Sequence, residues 1–432
     1  MKVVFVENKH KTRFWERIAQ ELSNGGHEIS WIVQNKLFSP KVGYVHVIPL
    51  PKNKDLHYSE KFKTLEKKDR YCYIYDQKPT HYSYYYKSIN RVLTEIEPDF
   101  VFGESTLFHE LLTIQCCREK SILYLNPSTC RYPTGRFSFY KYDTQEPYLG
   151  SNDVWSNELV DQIIEQVTLR EKQPDYMQKP SSLKKVSYRI RRIKGLVCSF
   201  MSSEFLGETY NTPSLRQKRK VESLRRLYYQ NYESLAIESI DKFEMRNTLV
   251  FPLQMQPESN IDVWGYPYNS QSDLVRQLSK NLGEGWNILI KPNPKSKYEI
   301  SKELLDSIKT STNVYALKHN VDMKALFKKF DFFFSVTGTI NHETILSGKK
   351  KCFSPSLPIT KKFSPTTAKL PIKQDLLADE IINKNNSRLL ISYLISSSFS
   401  GLIGDDIHTP QVFSAENISS VSKAFSSVLS RK

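Results

Sequence analysis

The chain has 432 residues, which is too long for one ordinary hydrophobic core and suits two domains of about 150–200 residues each. Its hydrophobic content of 39% and charged content of 25% exclude a broadly disordered chain. The net charge of +16 predicts a polyanionic partner, namely nucleic acid, an anionic membrane surface or a phosphorylated substrate, unless it reflects only a general lysine bias.

The first 35 residues predict the start of a parallel sheet. "KVVFVE" is a continuous apolar run, as in strands that are covered on both faces. Phe14, Ile18 and Leu22 follow at helical spacing, and "HEISWIV" is typical of a second strand. Strand, helix and strand in this order indicate a parallel α/β sheet.

The rest of the first domain keeps this alternation around one interruption. Residues 51–86 are polar and rich in tyrosine without a clear period, which indicates an irregular insertion. A helix, a buried strand ending at Gly103-Glu104, the helix "FHELLTIQCCREK" and the strand "SILYLNP" come next. We therefore predict a Rossmann-like N-terminal domain over residues 1–165.

Residues 166–245 are strongly basic and helical in pattern, which predicts a helical linker or insertion. From residue 246 to 432 strands and helices alternate again, which predicts a second Rossmann-like domain. The predicted fold class is therefore α/β, with two Rossmann-like domains facing a cleft. A GT-B glycosyltransferase, a nucleotide-sugar epimerase and a two-domain binding protein all fit this description.

The segment "FFFSVTGTINHETILSG" is the strongest candidate for a binding site, because ligands of open α/β sheets lie beyond the carboxyl ends of the strands. Ser335, Thr337 and Thr339 offer hydroxyls, and Gly338 allows a close backbone approach. The helix that follows directs its amides to the same place, which favours a phosphate. An ordinary helix cap at Thr339 is the alternative. Glu343 suits either a ribose hydroxyl or the helix dipole.

Two further strand ends of the second domain carry candidate residues. Lys291 in "IKPNPKSK" is predicted to pair with a phosphate, and Asn293 with Pro294 to fix a turn; a turn with solvated lysines is the alternative. Gln256 and Glu258 lie in "FPLQMQPESNIDVWG", a loop unusually rich in hydrogen-bonding side chains. A carboxylate in such a loop can serve as nucleophile, as base or as an anchor for sugar hydroxyls.

In the first domain Glu104 ends a buried strand, where a carboxylate suits acid/base chemistry on an acceptor hydroxyl, although it could also cap a helix. His109 and Glu110 are expected to be ordinary helix-face residues. Arg131 and Arg136, in a long loop, could bind an acidic substrate.

Several function classes are excluded by missing motifs. The six cysteines form no CxxC pair, which argues against a disulfide framework or a zinc site, and no metal site is expected. GxxxxGK[ST], HExxH and GxSxG do not occur. The N-terminal apolar run is too short for a signal peptide, and no run of about 18 apolar residues suggests a membrane span.

The segments "FPLQMQPESNIDVWG", "NILIKPNP" and "SVTGTINHETILSGKK" together resemble the bacterial glycosyltransferases of capsule and lipopolysaccharide polysaccharide biosynthesis. The nearest group is the retaining β-Kdo transferases, which have a GT-B-type architecture and use CMP-Kdo. The resemblance covers about residues 248–355 and extends loosely to "PDFVFGES". It implies a metal-independent transfer of Kdo onto a growing surface polysaccharide or lipopolysaccharide, with no cofactor beyond the CMP-sugar donor.

The resemblance also implies roles for single residues. Ser335 and the Thr-Gly-Thr segment correspond to the CMP-phosphate site, and Glu343 to a nucleotide contact. Glu258 falls at the position of a catalytic carboxylate, where family members often have Asp. Asn293 stands where related CMP-sugar transferases often have His, so that Lys291 would have to supply the positive charge.

The implied acceptor is a lipid-linked glycan, which predicts a cytoplasmic enzyme that is peripheral on the anionic inner-membrane surface. The basic helical region offers candidate cations for docking, with a solvated helix pair as the alternative: Lys184, Lys185, Arg189, Arg191, Arg192 and Lys194.

A CDP-glycerol-type glycerophosphotransferase and a basic nucleic-acid-binding protein are the other hypotheses. The first needs a histidine at a strand end, for which His109 and His342 are poorly placed. The second needs aromatics interleaved with Lys and Arg, which we do not find, and no nucleic-acid partner is expected.

Overall fold

A computed structural model describes residues 1–170, 186–296, 298–348, 350–356, 362–363, 370–377, 384–405 and 408–431. The chain divides into two compact units. Apart from the gaps above, the described part of the first unit comprises residues 1–154, 186–218 and 393–431, and that of the second comprises residues 155–170 and 219–392.

The first unit contains a seven-stranded sheet in the order β12-β6-β5-β4-β1-β2-β3, in which β1 to β5 are parallel and β6 and β12 antiparallel to their neighbours. Its central strands are buried on both faces, as the apolar runs predicted. The strands are β1 (Lys2–Val6), β2 (Glu28–Val33), β3 (Tyr44–Val47), β4 (Phe100–Phe102), β5 (Leu123–Thr129), β6 (Arg136–Lys141) and β12 (Phe399–Ser400).

Helices on this sheet present apolar faces to it. In the helix at Thr12–Asn24, Phe14, Ile18 and Leu22 are buried, as their spacing predicted. The region 51–86, expected to be irregular, contains two short helices and the start of a third. The helices of the first unit are α1 (Thr12–Asn24), α2 (Lys63–Glu66), α3 (Arg70–Tyr75), α4 (Tyr82–Ile96), α5 (Phe108–Glu119), α7 (Val186–Phe200) and α16 (Ala415–Leu429).

The C-terminal segment belongs to the first unit, which corrects the predicted domain boundaries. β12 pairs with β6, and Phe425 of α16 lies 4.7 Å from Phe102 between ring centroids. The buried guanidinium of Arg136 donates hydrogen bonds to the carbonyls of Ser398 and Ile395, at 2.8 and 3.0 Å. Arg136 is therefore an internal tie and not the predicted substrate contact.

The second unit contains a five-stranded parallel sheet in the order β11-β10-β7-β8-β9. The prediction of an α/β chain with two parallel-dominated sheets is thereby confirmed. The strands are β7 (Thr248–Pro252), β8 (Asn287–Lys291), β9 (Val314–Ala316), β10 (Phe332–Phe334) and β11 (Lys351–Phe353).

The helices of the second unit bury apolar faces against this sheet. Leu274, Leu278 and Leu282 share one buried face of the helix at Gln271–Leu282. These helices are α6 (Asn157–Thr168), α9 (Ser259–Asp262), α10 (Gln271–Leu282), α11 (Lys302–Thr310), α12 (Met323–Lys329), α13 (Ile340–Ser347), α14 (Lys373–Leu377) and α15 (Lys384–Ser396, whose last residues lie in the first unit).

The predicted linker over residues 166–245 is not one segment. Helix α7 belongs to the first unit, whereas α8 (Leu215–Leu235) begins in the first unit and continues into the second. Tyr232 of α8 is fully buried, and its hydroxyl donates to the carbonyl of Ile290 at 2.9 Å, so α8 is part of the second core. Among the described residues, no helix is long and apolar enough to cross a membrane.

Candidate functional site

Strand order defines a crevice at the carboxyl edge of each sheet. In the second sheet the chain starts at β7, adds β8 and β9 on one side, and then crosses to β10 and β11 on the other. The switch point of such a sheet lies between its first strand and the strand where the direction reverses, here β7 and β10. The loops after these two strands carry the two strongest predicted motifs, which therefore lie side by side.

The side chain of Gln254 joins the two loops directly. Its carboxamide oxygen accepts the backbone N–H of Thr337 at 2.8 Å, and its amide nitrogen donates to the Thr337 hydroxyl at 2.8 Å. The Thr337 hydroxyl in turn donates to the carbonyl of Asn260 at 2.6 Å. Thr337 is completely buried. The Thr337 hydroxyl was predicted to bind a phosphate; in the structure it bonds the loop after β10 to the loop after β7.

Ser335 and Gly338 form the second internal contact of the motif. The Ser335 hydroxyl accepts the backbone N–H of Gly338 at 3.0 Å. A Cβ at Gly338 would lie 2.4 Å from this hydroxyl oxygen, which is shorter than any normal contact. A side chain at position 338 would therefore force the Ser335 hydroxyl to move. Thr339 precedes α13, and its own side chain does not cap the helix.

Gln256 lies in a buried polar cluster behind the β7 loop. Its amide nitrogen donates to the Asp262 carboxylate at 2.9 Å, and its oxygen accepts from Gln271 at 3.1 Å. The backbone N–H of Glu258 donates to the same Asp262 carboxylate at 2.8 Å. The half-buried Glu258 is therefore held in place through its backbone, just before α9.

Lys291 ends β8 and is almost fully buried. Its ammonium group donates to the carbonyls of Pro292 and His319, at 2.9 and 3.0 Å. Burial lowers the pKa of Lys291 to about 8, although Glu233 and Asp322 oppose this shift. Asn293 accepts the N–H of Lys295 at 2.8 Å, which fixes a turn. The side chains of Lys291 and Asn293 thus bond to backbone groups of the neighbouring loops, and their contacts with a phosphate stay predictions.

Glu343 is buried on α13 and forms an ion pair with Arg170. The Arg170 guanidinium also lies over the ring of Phe327, 5.6 Å from its centroid. The partner of this carboxylate is thus an arginine that the sequence did not indicate, and the predicted ribose contact stays a prediction.

A third polar group lies beyond β8 and β9 and was not predicted. His319 bonds to the Glu233 carboxylate through Nδ1, and its Nε2 lies 3.0 Å from the Ser296 hydroxyl. Tyr229 covers the imidazole, with 4.5 Å between ring centroids. His319, Ser296 and Tyr229 line a cavity of about 580 Å³ together with Arg225 and Lys295. The glutamate on α8 lies far away in sequence, so no local pattern could reveal the group.

The first sheet has its own switch point between β1 and β4. Glu104 follows β4, is buried, and pairs with Lys11. Burial raises the pKa of Glu104; Lys11 opposes the rise and neighbouring Glu110 adds to it. A carboxylate with a raised pKa at a strand end is suited to act as a general base.

Glu110 and His109 have more specific roles than helix-face residues. The Glu110 carboxylate accepts backbone N–H groups from Thr106 and Leu107, both at 2.9 Å, and therefore caps α5. His109 is fully buried: Nε2 lies 2.7 Å from the carbonyl of Glu7, and Nδ1 lies 3.0 Å from the Asn211 amide nitrogen.

Glu7 is a strand-end carboxylate that was not among the predicted site residues, although it follows β1 as Glu104 follows β4. It is fully buried and accepts backbone N–H groups from Gln34 and Asn35, at 3.3 and 3.2 Å. Burial raises the pKa of Glu7, and His109 opposes this shift. The carboxyl ends of β1 and β2 are thus joined by a buried polar network.

Within the described residues, no group of three or more His, Cys, Asp or Glu side chains is arranged to hold a metal ion. Lys184, Lys185 and the side chain of Arg191 lie outside the described parts of the chain, whereas Arg189, Arg192 and Lys194 are exposed on α7.

No protein-family model matches the chain, and no curated protein sequence matches it. Solved structures of glycosyltransferases and of UDP-GlcNAc 2-epimerases are similar to it. KpsC of Thermosulfurimonas dismutans, a beta Kdo 2,4 transferase, is 14% identical with a TM-score of 0.37, and the match covers 76% of this chain and 87% of KpsC. MurG of Acinetobacter baumannii is 12% identical with a TM-score of 0.24, covering 99% of both chains.

UDP-GlcNAc 2-epimerase of Neisseria meningitidis, bound to UDP-GlcNAc, is 11% identical with a TM-score of 0.25, and the match covers 100% of both chains. At these identities and scores the likeness carries no argument about chemistry. The assignment of fold class therefore rests on the two sheets of this chain.

Proposed function

We propose that this chain is a GT-B-type glycosyltransferase that moves a sugar, Kdo from CMP-Kdo, onto a growing bacterial surface polysaccharide or lipopolysaccharide acceptor. One observation carries the proposal. Two of the three segments on which the resemblance to Kdo transferases rests meet at the switch point of the second sheet, joined by Gln254 and Thr337. Nucleotides bind at this position in open α/β sheets.

The chemistry of the switch point suits a cytidine monophosphate leaving group. The N-terminus of α13 lies beside the Thr-Gly-Thr loop, and the positive end of a helix dipole stabilises an anion. A single phosphodiester needs less neutralisation than a diphosphate, so that a helix N-terminus and neighbouring dipoles can stabilise its developing charge. The proposed transfer is therefore independent of a metal ion and of any cofactor other than the donor.

The proposed reaction is a retaining double displacement. The Glu258 carboxylate attacks the anomeric carbon of the donor, the bond to the phosphate oxygen breaks, and CMP leaves. An acceptor hydroxyl then attacks the same carbon and releases Glu258. In the first unit Glu104 is the proposed base for the proton of that hydroxyl, supported by its burial and raised pKa.

The proposed acceptor is a lipid-linked glycan, and the proposed location is the cytoplasmic face of the inner membrane. Support comes from the basic composition and from exposed cations of α7, namely Arg189, Arg192 and Lys194. Anionic lipids attract such residues electrostatically.

The test is a donor screen with CMP-Kdo, CMP-sialic acid, UDP-sugars and GDP-sugars, with the anomeric configuration of the product determined by NMR. We expect CMP to raise the melting temperature in the presence of EDTA, and CMP-Kdo to be the productive donor. A strict requirement for a divalent metal would contradict the proposal, as would transfer from a UDP-sugar alone.

Glu258→Gln tests the nucleophile. The variant should lose transfer by about 10³-fold or more while binding CMP normally. Glu303→Gln is the matched control, because Glu303 is an exposed residue of α11 in the same unit. Normal turnover of Glu258→Gln would remove Glu258 from the reaction.

A second candidate, the CDP-glycerol-type glycerophosphotransferase, is favoured by one observation. It needs a histidine at a strand end, and His319 follows β9, bonded to Glu233 beside a cavity. Under this hypothesis CDP-glycerol is consumed and His319→Gln abolishes the reaction. If CMP-Kdo is the donor, His319→Gln retains transfer provided that the fold is intact.

A further inference from the structure

Helix α7 exposes a continuous apolar face. Residues spaced three, four and seven apart along the helix project the same way. Their side chains are large and are 40–67% exposed, continuing into the single π-helical turn Met201–Phe205 that follows α7: Ile190, Ile193, Leu196, Val197, Phe200, Met201 and Phe205. Soluble monomers rarely expose large contiguous apolar patches, so this face is a candidate for contact with a partner.

A basic cavity lies directly beside this helix, in the same unit. It has a volume of about 450 Å³ and is lined by Gly195 and Cys198 of α7, by the first turns of α1 and by the loop after β2. Cationic residues dominate its charged lining: Lys9, Arg13, Arg17, Lys41 and Lys194. The carboxylate of Glu16 also lines it and accepts the backbone N–H of Lys41 at 2.6 Å.

The rest of the cavity lining is apolar. Leu37, Phe38 and Phe413 contribute to the wall, and the ring of His10 lies 5.1 Å from that of Phe38. A cavity that joins several cations to apolar walls is suited to an anionic group attached to a hydrocarbon part. Lys194 lines the cavity and lies four residues after Ile190 and three before Val197, so the cavity and the apolar face adjoin at this residue and together make up one surface.

We propose that this surface is a docking site for anionic phospholipid. A lipid phosphate enters the cavity beside Arg17, Lys41 and Lys194, and the apolar face of α7 inserts among the acyl chains. The proposal deepens the proposed function, on which it rests only for the presence of an anionic bilayer. It names the residues that bind the bilayer and a phosphate site that is separate from the donor site of the second unit.

Charge favours a bilayer over a second copy of the chain. A two-fold interface would bring each patch against its own equivalent. Arg189, Arg192 and Lys194 on α7 would then face identical cations at low dielectric, which costs free energy. An anionic lipid surface instead neutralises them, at about 1 kcal/mol for each Lys or Arg near the surface.

The test is co-sedimentation of the full chain with sucrose-loaded vesicles of phosphatidylcholine, with or without about 30% phosphatidylglycerol. We expect binding to the anionic vesicles at least about tenfold stronger than to the neutral ones. Arg17→Glu with Lys41→Glu should weaken it by about tenfold or more. The matched control is Lys87→Glu with Lys423→Glu, two exposed lysines of the same unit, which should weaken it by less than about threefold.

The apolar face is tested by Ile193→Ser with Leu196→Ser, against Leu159→Ser with Leu389→Ser, exposed residues of the second unit. Only the first pair should reduce vesicle binding, by about tenfold. Circular dichroism and melting temperature verify the fold of each variant. Equal losses in a variant and its control would overturn the proposal, because binding would then follow net charge or hydrophobicity alone.

Two further measurements distinguish an anionic lipid from other ligands of this surface. Stabilisation of the wild type by inorganic phosphate without vesicle binding would make the cavity a free-anion site and overturn the lipid assignment. Loss of the apolar exposure in a concentration-dependent dimer, measured by analytical ultracentrifugation, would assign the face to a second copy. Vesicle binding is measured without donor or acceptor, so its failure is distinguishable from a failure of glycosyl transfer.

Discussion

Gly338 has a structural role in its loop as well as the predicted binding role. In the sequence it suggested close approach of a ligand to the backbone. In the structure its hydrogen occupies the space beside the Ser335 hydroxyl, which accepts the Gly338 N–H. The glycine therefore shapes the loop after β10 even before any ligand binds.

Gly338→Ala is expected to destabilise the second unit by about 1–3 kcal/mol, because the new methyl group must displace the Ser335 hydroxyl. In a chain that also carries Ser335→Ala, the new methyl group no longer meets the hydroxyl, so Gly338→Ala should destabilise it much less. The double variant should therefore be more stable than the sum of the two single changes predicts. Urea unfolding of the four proteins measures the coupling. Strictly additive losses would show that the contact does not matter.

Lys291 illustrates the cost of a buried charge. Its pKa falls from 10.5 in the unfolded chain to about 8 in the folded one, because burial disfavours the ammonium form. Between pH 8 and 10.5 the unfolded chain therefore binds more protons than the folded one. The Lys291 contribution to stability must rise with pH through this window.

Comparison with Lys291→Met isolates this effect, because other titrating groups largely cancel in the difference. The stability of the wild type relative to the variant is expected to rise by up to about 1.4 kcal/mol for each pH unit above pH 8. Urea unfolding at a series of pH values measures it. A difference that stays constant across the window would place the ammonium group in contact with water.

At the scale of elements, Arg136 ties β6 to the C-terminal end of α15. Beside the carbonyls of Ile395 and Ser398, its guanidinium pairs with Asp153 at 2.8 Å. Arg136→Met removes the donor and leaves these buried acceptors unsatisfied, and we expect a loss of about 3–5 kcal/mol.

Arg91→Met is the control, since Arg91 is an exposed residue of α4 whose pair with Glu95 is long, at 3.7 Å. It should change the free energy of unfolding by less than about 0.5 kcal/mol. Similar effects of the two substitutions on chemical denaturation would contradict the role of Arg136.

The same scale shows what local sequence can predict. Strands β1, β4, β7, β8 and β10 are apolar runs, and the residues that follow them are read directly from the chain, so the strand-end candidates could be found. Their partners could not, because Gln271, Arg170 and Lys11 reach them only through tertiary packing. A sequence can thus place Glu104 at a strand end, yet it does not reveal the lysine that pairs with it.

The domain boundaries could not be predicted for a related reason. β12 has only two residues, Phe399 and Ser400, and it pairs with a strand about 260 residues earlier. Such a short strand has no periodicity, and sequence order assigns it to the preceding domain. Only the packing of α16 on the first sheet reveals where it belongs.

At the scale of the whole molecule, the first core is assembled from both ends of the chain. Phe425 of α16 is completely buried against Phe5, Phe102 and Phe139, with centroid distances of 6.1, 4.7 and 4.8 Å. Each such aromatic side chain contributes about 1.5–3 kcal/mol on burial. The first unit therefore depends on residues far along the chain from its other strands, whereas the second core does not.

A chain that ends at Ser392 should therefore lose the cooperative unfolding of the first unit and keep that of the second. The exposed faces of Phe5 and Phe102 should bind a hydrophobic dye, and near-ultraviolet circular dichroism should weaken. A chain that ends at Ser430 retains α16 and should unfold as the full chain does. Because the second sheet and its switch point lie before residue 392, CMP binding should persist in both chains if the donor site belongs to that unit alone. Two unchanged urea transitions in the shorter chain would show that the first core is complete without its C-terminal helix.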